Sequence, residues 1–185
     1  MAVTMSTIKN DQHFSVYLRK PEIEDKLLLI KAYERSRLLH EPFIFAPADI
    51  DQYLAQENRY LLCDKEHHNI IGTFNISNII RGWFQSGYLG YEVFSPFQQQ
   101  GLMYQGLLLV IEEAFIALNL HRLEANIQPE NIASIKLMTK AGFIKEGYSK
   151  NYLRIGGKEW KDHERWALIN NNWKEETAAA NITNC

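Results

Sequence analysis

Tyr91-Glu92-Val93-Phe94-Ser95-Pro96-Phe97-Gln98-Gln99-Gln100-Gly101-Leu102-Met103-Tyr104 changes its period in mid-course. A strand-like run stops at Ser95-Pro96, and residues 102–118 are apolar at helical length. A helix start leaves about four backbone N–H groups without partners. Ser, Thr, Asp or Asn normally caps them. Gln98, Gln99, Gln100 and Gly101 stand here instead, and none is a strong cap. An external anion would satisfy those donors, helped by the helix dipole. Gly101 would let the backbone approach it closely. The stretch lacks the lysine and second glycine of a nucleotide-triphosphatase loop, which argues against that class. Read alone, it leaves a plain strand–turn–helix connection equally open.

Working outward, alternation predicts a strand at 15–20, and periodicity predicts a helix at 23–39. Pro42 and Pro47 make 41–47 a loop. A short helix at 49–56 and strands at 59–63, 70–80 and 88–94 follow, with Gly72 inside the second strand. Beyond the long helix come a strand at 121–127 and a helix at 131–141, opened by Asn131 and closed by Gly142. Two last strands are expected at 143–148 and 152–169, the second broken at Gly156-Gly157. The order is that of a mixed α/β chain. Residues 13–172 read as one domain between a loose start (1–12) and a disordered tail (173–185).

Composition narrows the class. The chain has 185 residues, and 46% hydrophobic with 23% charged residues is globular rather than disordered. A net charge of −2 gives no broad attraction to nucleic acid. No apolar run approaches the ~20 residues of a membrane span. The start carries no secretory pattern, so a reduced cytoplasmic protein is expected, as monomer or homodimer. Cys63 and Cys185 make no disulfide framework, and Cys63 reads as a small buried hydrophobe. The six histidines show no ligand spacing, so no metal is expected. Asn181-Ile182-Thr183 spells a glycosylation acceptor without meaning in that compartment.

A second segment sharpens the first. Asn126 ends a strand, and Pro129-Glu130-Asn131-Ile132-Ala133-Ser134 leads into a helix stopping at Ala141-Gly142-Phe143. Together the two segments resemble the Gcn5-related N-acetyltransferase superfamily. The resemblance is closer to the bacterial ribosomal-protein-alanine N-acetyltransferases, the RimJ/RimL group. It extends through His121-Arg122, Glu146-Gly147-Tyr148, Tyr152-Leu153 and Trp160-Lys161-Asp162-His163.

The resemblance implies a single GNAT domain: a mostly antiparallel sheet, helices on both faces, and two strands splayed around acetyl-coenzyme A. By the same resemblance, Gln98, Gln99, Gln100, Gly101, Leu102, Met103 and Tyr104 would cradle the pyrophosphate. Val93 and Phe94 would pair with the pantetheine, with Asn126 and Asn131 beside it. Ser134 would face the sulfur. Two positions depart from the pattern. Met103 replaces a Gly or Ala of the wider superfamily. Met138 replaces the tyrosine that protonates the leaving thiolate in many members, and Ser134, one turn earlier, is the substitute. A hydroxyl bonded to its own helix is the alternative for Ser134.

The implied reaction is attack of a neutral amine on the thioester. A terminal α-amine titrates near 7.7–8.0 and lysine near 10.4, so at neutral pH the α-amine is free several-hundred-fold more often. Such an enzyme needs only a modest base. Glu92 and Glu124 are candidates, with a solvated or paired carboxylate the alternative for each, and a water can relay the proton. Alternation puts Glu124 and Asn126 on one face. Phe43, Phe45, Tyr152 and Trp160 would wall the acceptor site, although Phe43 and Phe45 equally suit the core. Lys136, Lys140 and Lys145 read as a solvated face, one of them within reach of a phosphate. The expected acceptor is the N-terminal amine of a protein, an alanine-starting small-subunit ribosomal protein, without direct nucleic-acid or membrane contact. The rivals are a small-molecule amine, such as an antibiotic or polyamine, and a non-catalytic coenzyme A-binding module.

Overall fold

The computed structural model describes residues 14–175. Seven strands form one sheet: β1 (Val16–Arg19), β2 (Arg59–Asp64), β3 (Ile70–Ile80), β4 (Ser86–Val93), β5 (Arg122–Ile127), β6 (Ile144–Ile155) and β7 (Glu159–Ile169). Their order is β1-β2-β3-β4-β5-β7-β6, and only β4–β5 is a parallel pair. Four α-helices complete it: α1 (Lys26–His40), α2 (Ile50–Leu54), α3 (Leu102–Glu112) and α4 (Ile132–Lys140). The mixed α/β architecture with a mostly antiparallel sheet is the one the sequence led us to expect.

Alternation along β2 shows why helices cover both faces. Leu61 and Cys63 pack with Leu29, Tyr33 and Phe94 under α1 and α2. Tyr60 and Leu62 point the other way, into the larger core with Phe74, Leu107, Val110 and Met138 under α3 and α4. Each fully buried aliphatic or aromatic side chain of this kind contributes about 2 kcal/mol. Gly106 sets the depth of α3. A Cβ there would lie 2.7 Å from Leu62 and 2.8 Å from Phe74. The helix therefore rests directly on the sheet.

The parallel pair is where the sheet opens. β4 and β5 are in register only from Ser86 to Tyr88 against Arg122 to Glu124. β4 runs on to Val93, paired with β3, and β5 runs on to Ile127, paired with β7. Between them the strands part. The N–H of Phe94 reaches Ile71 on the β3 side at 2.7 Å. By alternation, Leu89, Tyr91 and Val93 turn their backbone groups towards the gap.

Three expectations need correction. The helix at 102–118 is α-helical only to Glu112 and continues as a π-helical turn, Glu113–Ala117. The last hairpin turns at Gly156-Gly157 as expected, but β6 runs unbroken from Ile144 to Ile155, where a gap between strands was expected at 149–151. What looked like a break there is a bulge: the register shifts between Ser149 and Leu153, and Asn151 sits at φ 47°. Trp173, assigned to the tail, donates its indole N–H to the Asn119 carbonyl at 3.0 Å and packs edge-on to His121. Residues 1–12, Asn181-Ile182-Thr183 and Cys185 lie outside the described residues.

Candidate active site

A cavity of about 400 Å³ lies at the split. Leu89, Gly90, Tyr91 and Glu92 of β4 line one side, and Ala125, Asn126 and Ile127 of β5 the other. Asn131 and Ser134 enter from the start of α4, and Phe43, Ile44, Phe45 and Pro47 from the α1–α2 loop. The β6–β7 hairpin closes the rim, where the Gly156 turn packs against the Phe45 ring. Gln128 ties the loop down through the Phe43 carbonyl at 3.3 Å. Phe43 and Phe45 are thus cavity walls rather than core.

Glu92 is held from three elements. Its Oε1 accepts from the Tyr53 hydroxyl at 2.8 Å, the Thr73 hydroxyl at 2.7 Å and the Tyr33 hydroxyl. The Tyr33 and Tyr53 hydroxyl oxygens also lie 2.8 Å apart, each with its single proton turned to the carboxylate. Burial, and then the Glu92 charge, push both phenols well above the usual tyrosine range. They therefore remain donors at any working pH. Oε2 takes no part in these bonds.

The same helix braces the end of β4. His40 is hydrogen-bonded through Nε2 to the Val93 carbonyl at 2.8 Å. Ser36 accepts from the Ser95 N–H at 2.9 Å, and Arg35 donates to the Ser95 carbonyl at 2.6 Å. Val93 and Phe94 are consequently less free than expected. The Val93 carbonyl and the Phe94 N–H are committed, and the Phe94 ring is fully buried beside Tyr33 and His40. The backbone of Tyr91 and the N–H of Val93 remain facing the gap.

At the other end of the connecting loop, α3 starts at Gly101 (φ 77°) without a side-chain cap. Gln100 bonds back to the Pro96 carbonyl at 2.9 Å, and Gln99 also has positive φ. Nothing lies within 4 Å of a Cβ built on Gly101. Gln98 buries an unpaired side-chain oxygen. Met103 turns inward, its sulfur 3.1 Å from the Cβ position of Gly72. Leu102 and Tyr104 are half-buried, and Lys140 sits over the Tyr104 ring at 4.1 Å. Open donors at a helix start beside a parted strand edge suit a phosphorylated, amide-bearing ligand such as coenzyme A.

Over residues 15–144 the chain matches the family model described as an acetyltransferase (GNAT) domain. It belongs to the GNAT acetyltransferases. This acetyltransferase is 31% identical over 173 residues to the probable N-acetyltransferase YjcK of Bacillus subtilis, a match covering 84% of this chain and 94% of that one. It is 41% identical over 112 residues to the ribosomal protein uS5-alanine N-acetyltransferase of Escherichia coli, covering 60% and 57% of the two chains. The crystal structure of the ribosomal-protein-S5-alanine acetyltransferase of Vibrio fischeri superposes with a TM-score of 0.79 at 30% identity, covering 89% and 98%.

Not every expected residue reaches the cavity of the acetyltransferase. Glu124 does not line it; Arg122, from the same face of β5, pairs with it at 3.0 Å and also holds Glu146. Tyr152 does not line it either, but packs on His163, which does. Trp160 is exposed on the hairpin, and Lys145 pairs with Glu164. Asn131 spends its side-chain oxygen capping α4, accepting from the Ser134 N–H at 3.1 Å. The Ser134 hydroxyl itself is not bonded to its helix. Among the described residues no group of three or more His, Cys, Asp or Glu is placed to hold a metal, and no helix is long and apolar enough to cross a membrane. Tyr33, Tyr53, Thr73, His40 and His163 were not anticipated. They come from separate elements, and no local spacing joins them.

Proposed function

We propose that this acetyltransferase moves the acetyl group of acetyl-coenzyme A onto the N-terminal α-amine of a protein, an alanine-starting small-subunit ribosomal protein, in the cytoplasm. The observation that carries the reading is the single, clamped carboxylate of the cavity. Among its described lining residues, Glu92 is the only carboxylate and Arg59 the only side chain with a permanent positive charge. A polyamine carries several ammonium groups and needs several acidic partners. One amine on an otherwise amide- and apolar-lined path needs one. The 41% identical Escherichia coli relative and the Vibrio fischeri structure support the protein acceptor.

Acetyl-coenzyme A, when bound, supplies an acetyl group activated as a thioester. The N–H groups from Gln99 to Met103 hold its pyrophosphate, that of Tyr104 being given to the Gly101 carbonyl, and the open edge of β4 at Tyr91 and Val93 holds its amides. Glu92 Oε2 orients the α-amine and takes its proton, directly or through a water. Because the Glu92 partners are neutral hydroxyls, the carboxylate is positioned without a cation competing for it. Phe43, Phe45 and Ile44 exclude water along the acceptor path. Ser134 offers its hydroxyl to the departing sulfur.

A peptide panel tests this. One peptide begins with free alanine, one has that amine blocked, and both carry an internal lysine. Mass spectrometry after incubation with acetyl-coenzyme A is expected to find acetylation of the free-alanine peptide only. Acetylation of a polyamine with none of the peptide would move the acceptor to small molecules.

A further inference from the structure

We propose that Arg59 and Asn75 form a carboxylate-binding subsite in the acceptor half of the cavity, so that the favoured acceptor carries a carboxylate close to the amine it offers. This rests on the acetyltransferase reading, in which Glu92 receives that amine. Arg59 begins β2 and lines the cavity, yet it is only 6% exposed. Taking a guanidinium out of water is costly unless an anion or full hydrogen bonding compensates. Arg59 has neither. Its Nε donates to Gln56 Oε1 at 3.1 Å, and one terminal nitrogen shares that oxygen. The guanidinium rests on the Tyr53 ring, 3.5 Å from its centre. Its partners are thus a neutral amide and a ring face, and among the described residues no carboxylate pairs with it. A guanidinium has five N–H donors, and only two of them are used here.

The sheet places this cation beside Glu92. Arg59 stands opposite Asn75 on β3, and Asn75 opposite Gly90 on β4. The next row on the same face is Leu61, Thr73 and Glu92, one two-residue step of about 7 Å away. Asn75 and Gly90 also line the cavity. Asn75 folds over Gly90: a Cβ there would lie 2.4 Å from its Oδ1. Tyr53 sits between the two charges. Its ring carries the guanidinium, and its hydroxyl donates to the Glu92 carboxylate at 2.8 Å. Arg59 and Glu92 are thereby held a phenol's length apart and do not pair with each other. An acceptor that spans them gives its amine to Glu92 and a carboxylate to the Arg59 fork, with the Asn75 amide as a further donor. At about 3.5 Å of reach per residue, that carboxylate belongs to the first or second residue. It is the side chain of an acidic residue there, or the α-carboxylate of a free amino acid. A polyamine, cationic along its length, meets Arg59 as repulsion. No bond is made or broken at Arg59; it selects which amine is presented.

The test uses the full chain loaded with coenzyme A, so that acceptor binding is read without turnover. Calorimetry compares three pairs that differ only in a carboxylate against an amide. They are peptides beginning Ala-Glu or Ala-Gln, peptides beginning Asp-Ala or Asn-Ala, and free alanine or alaninamide. In at least one pair the carboxylate member is expected to bind about tenfold tighter, and kcat/KM for its acetylation to follow the same ratio. Arg59→Gln should bring that ratio to about one while coenzyme A binds as before. Arg59→Lys, which keeps the charge but not the fork, should keep about a third of it. A response in the free-alanine pair alone makes the carboxylate the amino acid's own; the subsite then stands and the protein acceptor falls. Ratios below threefold in all three pairs with the peptides still acetylated, or a ratio that Arg59→Gln leaves intact, overturn the subsite alone. Failure of the wild type to bind coenzyme A overturns the acetyltransferase reading and the subsite together.

Discussion

Tyr91 and Glu92 are neighbours on β4 and face opposite sides of the sheet, and their polar atoms are treated oppositely. One oxygen of Glu92 receives three hydroxyls drawn from α1, α2 and β3. The hydroxyl of Tyr91, towards α3 and α4, is buried without a hydrogen-bond partner among the described residues. Around Glu92 the acceptor face is complete as it stands, whereas the coenzyme face leaves donors open at Tyr91, at the parted edge of β4 and at the start of α3. A face that is already satisfied can orient a small, variable group by one remaining oxygen. A face with open donors is matched to a large ligand that brings its own acceptors. The contrast separates preorganised chemistry from binding that is finished only by the ligand.

The largest effect is expected where the satisfied face is emptied of charge. Glu92→Gln keeps the shape but removes the proton acceptor and turns an amide towards three donors. A fall in kcat of about 10²–10³ is expected, with coenzyme A affinity unchanged by calorimetry. A loss below threefold would show that the carboxylate merely closes the hydroxyl cluster.

Next comes the open face. Gly101→Val forces a β-branched residue to φ 77°, in the left-handed region such residues avoid. It also places methyl groups where a phosphate would approach. Coenzyme A affinity is expected to fall about 10–50-fold, with kcat at saturation nearly kept. Equal affinity in a folded variant would remove the anion from this loop.

Trimming the clamp should cost less. Tyr53→Phe removes one donor to Glu92 and the oxygen that Tyr33 and Thr73 touch but leaves two hydroxyls on the carboxylate. A threefold to tenfold loss in kcat is expected, about one net hydrogen bond. Since the buried phenol stays protonated well beyond the ordinary tyrosine range, the loss should be the same from pH 6 to 9. A loss confined to high pH would mean that Tyr53 ionises and acts as a base.

These effects bear differently on what the sequence makes legible. β3 at Ile70–Ile80 and the start of α3 at Leu102 were readable, because alternation and an apolar helical run are local patterns. So was the uncapped start at Gly101. The Gly156-Gly157 turn was readable too, but the gap expected at 149–151 was not, because only the β7 partner reveals a bulge in one long strand. The clamp on Glu92 was not legible. Tyr33, Tyr53 and Thr73 are spread over 41 residues of sequence (73 − 33, both ends counted) and meet only when α1 and α2 are laid on the sheet. Tyr91 was hidden differently. Its position on β4 was plain, but an unpaired hydroxyl is a property of packing, not of spacing.

A second carboxylate on the acceptor face offers a control for the comparison. Asp25 is buried, and its partner is a cation: Arg19 donates to both of its oxygens, at 2.6 and 2.7 Å, while the Glu22 N–H adds a third bond at 2.8 Å. Burial works to raise the Asp25 pKa, but the Arg19 guanidinium and the Glu22 N–H outweigh it and hold the group below the usual carboxylate range. A lowered folded pKa means that the ion pair's stability is fully present above about 3.9, the unfolded value, and is lost as the pH falls through the folded pKa. Asp25→Asn is expected to cost about 2 kcal/mol at pH 7, less than a wholly buried pair, because Arg19 is 30% exposed. Urea unfolding should show the gap to wild type closing as the pH falls below the unfolded carboxylate value, and kcat should not change. If kcat falls together with stability, the two carboxylates share one cooperative unit, and Glu92 owes its place to the whole α1 face rather than to its three hydroxyls.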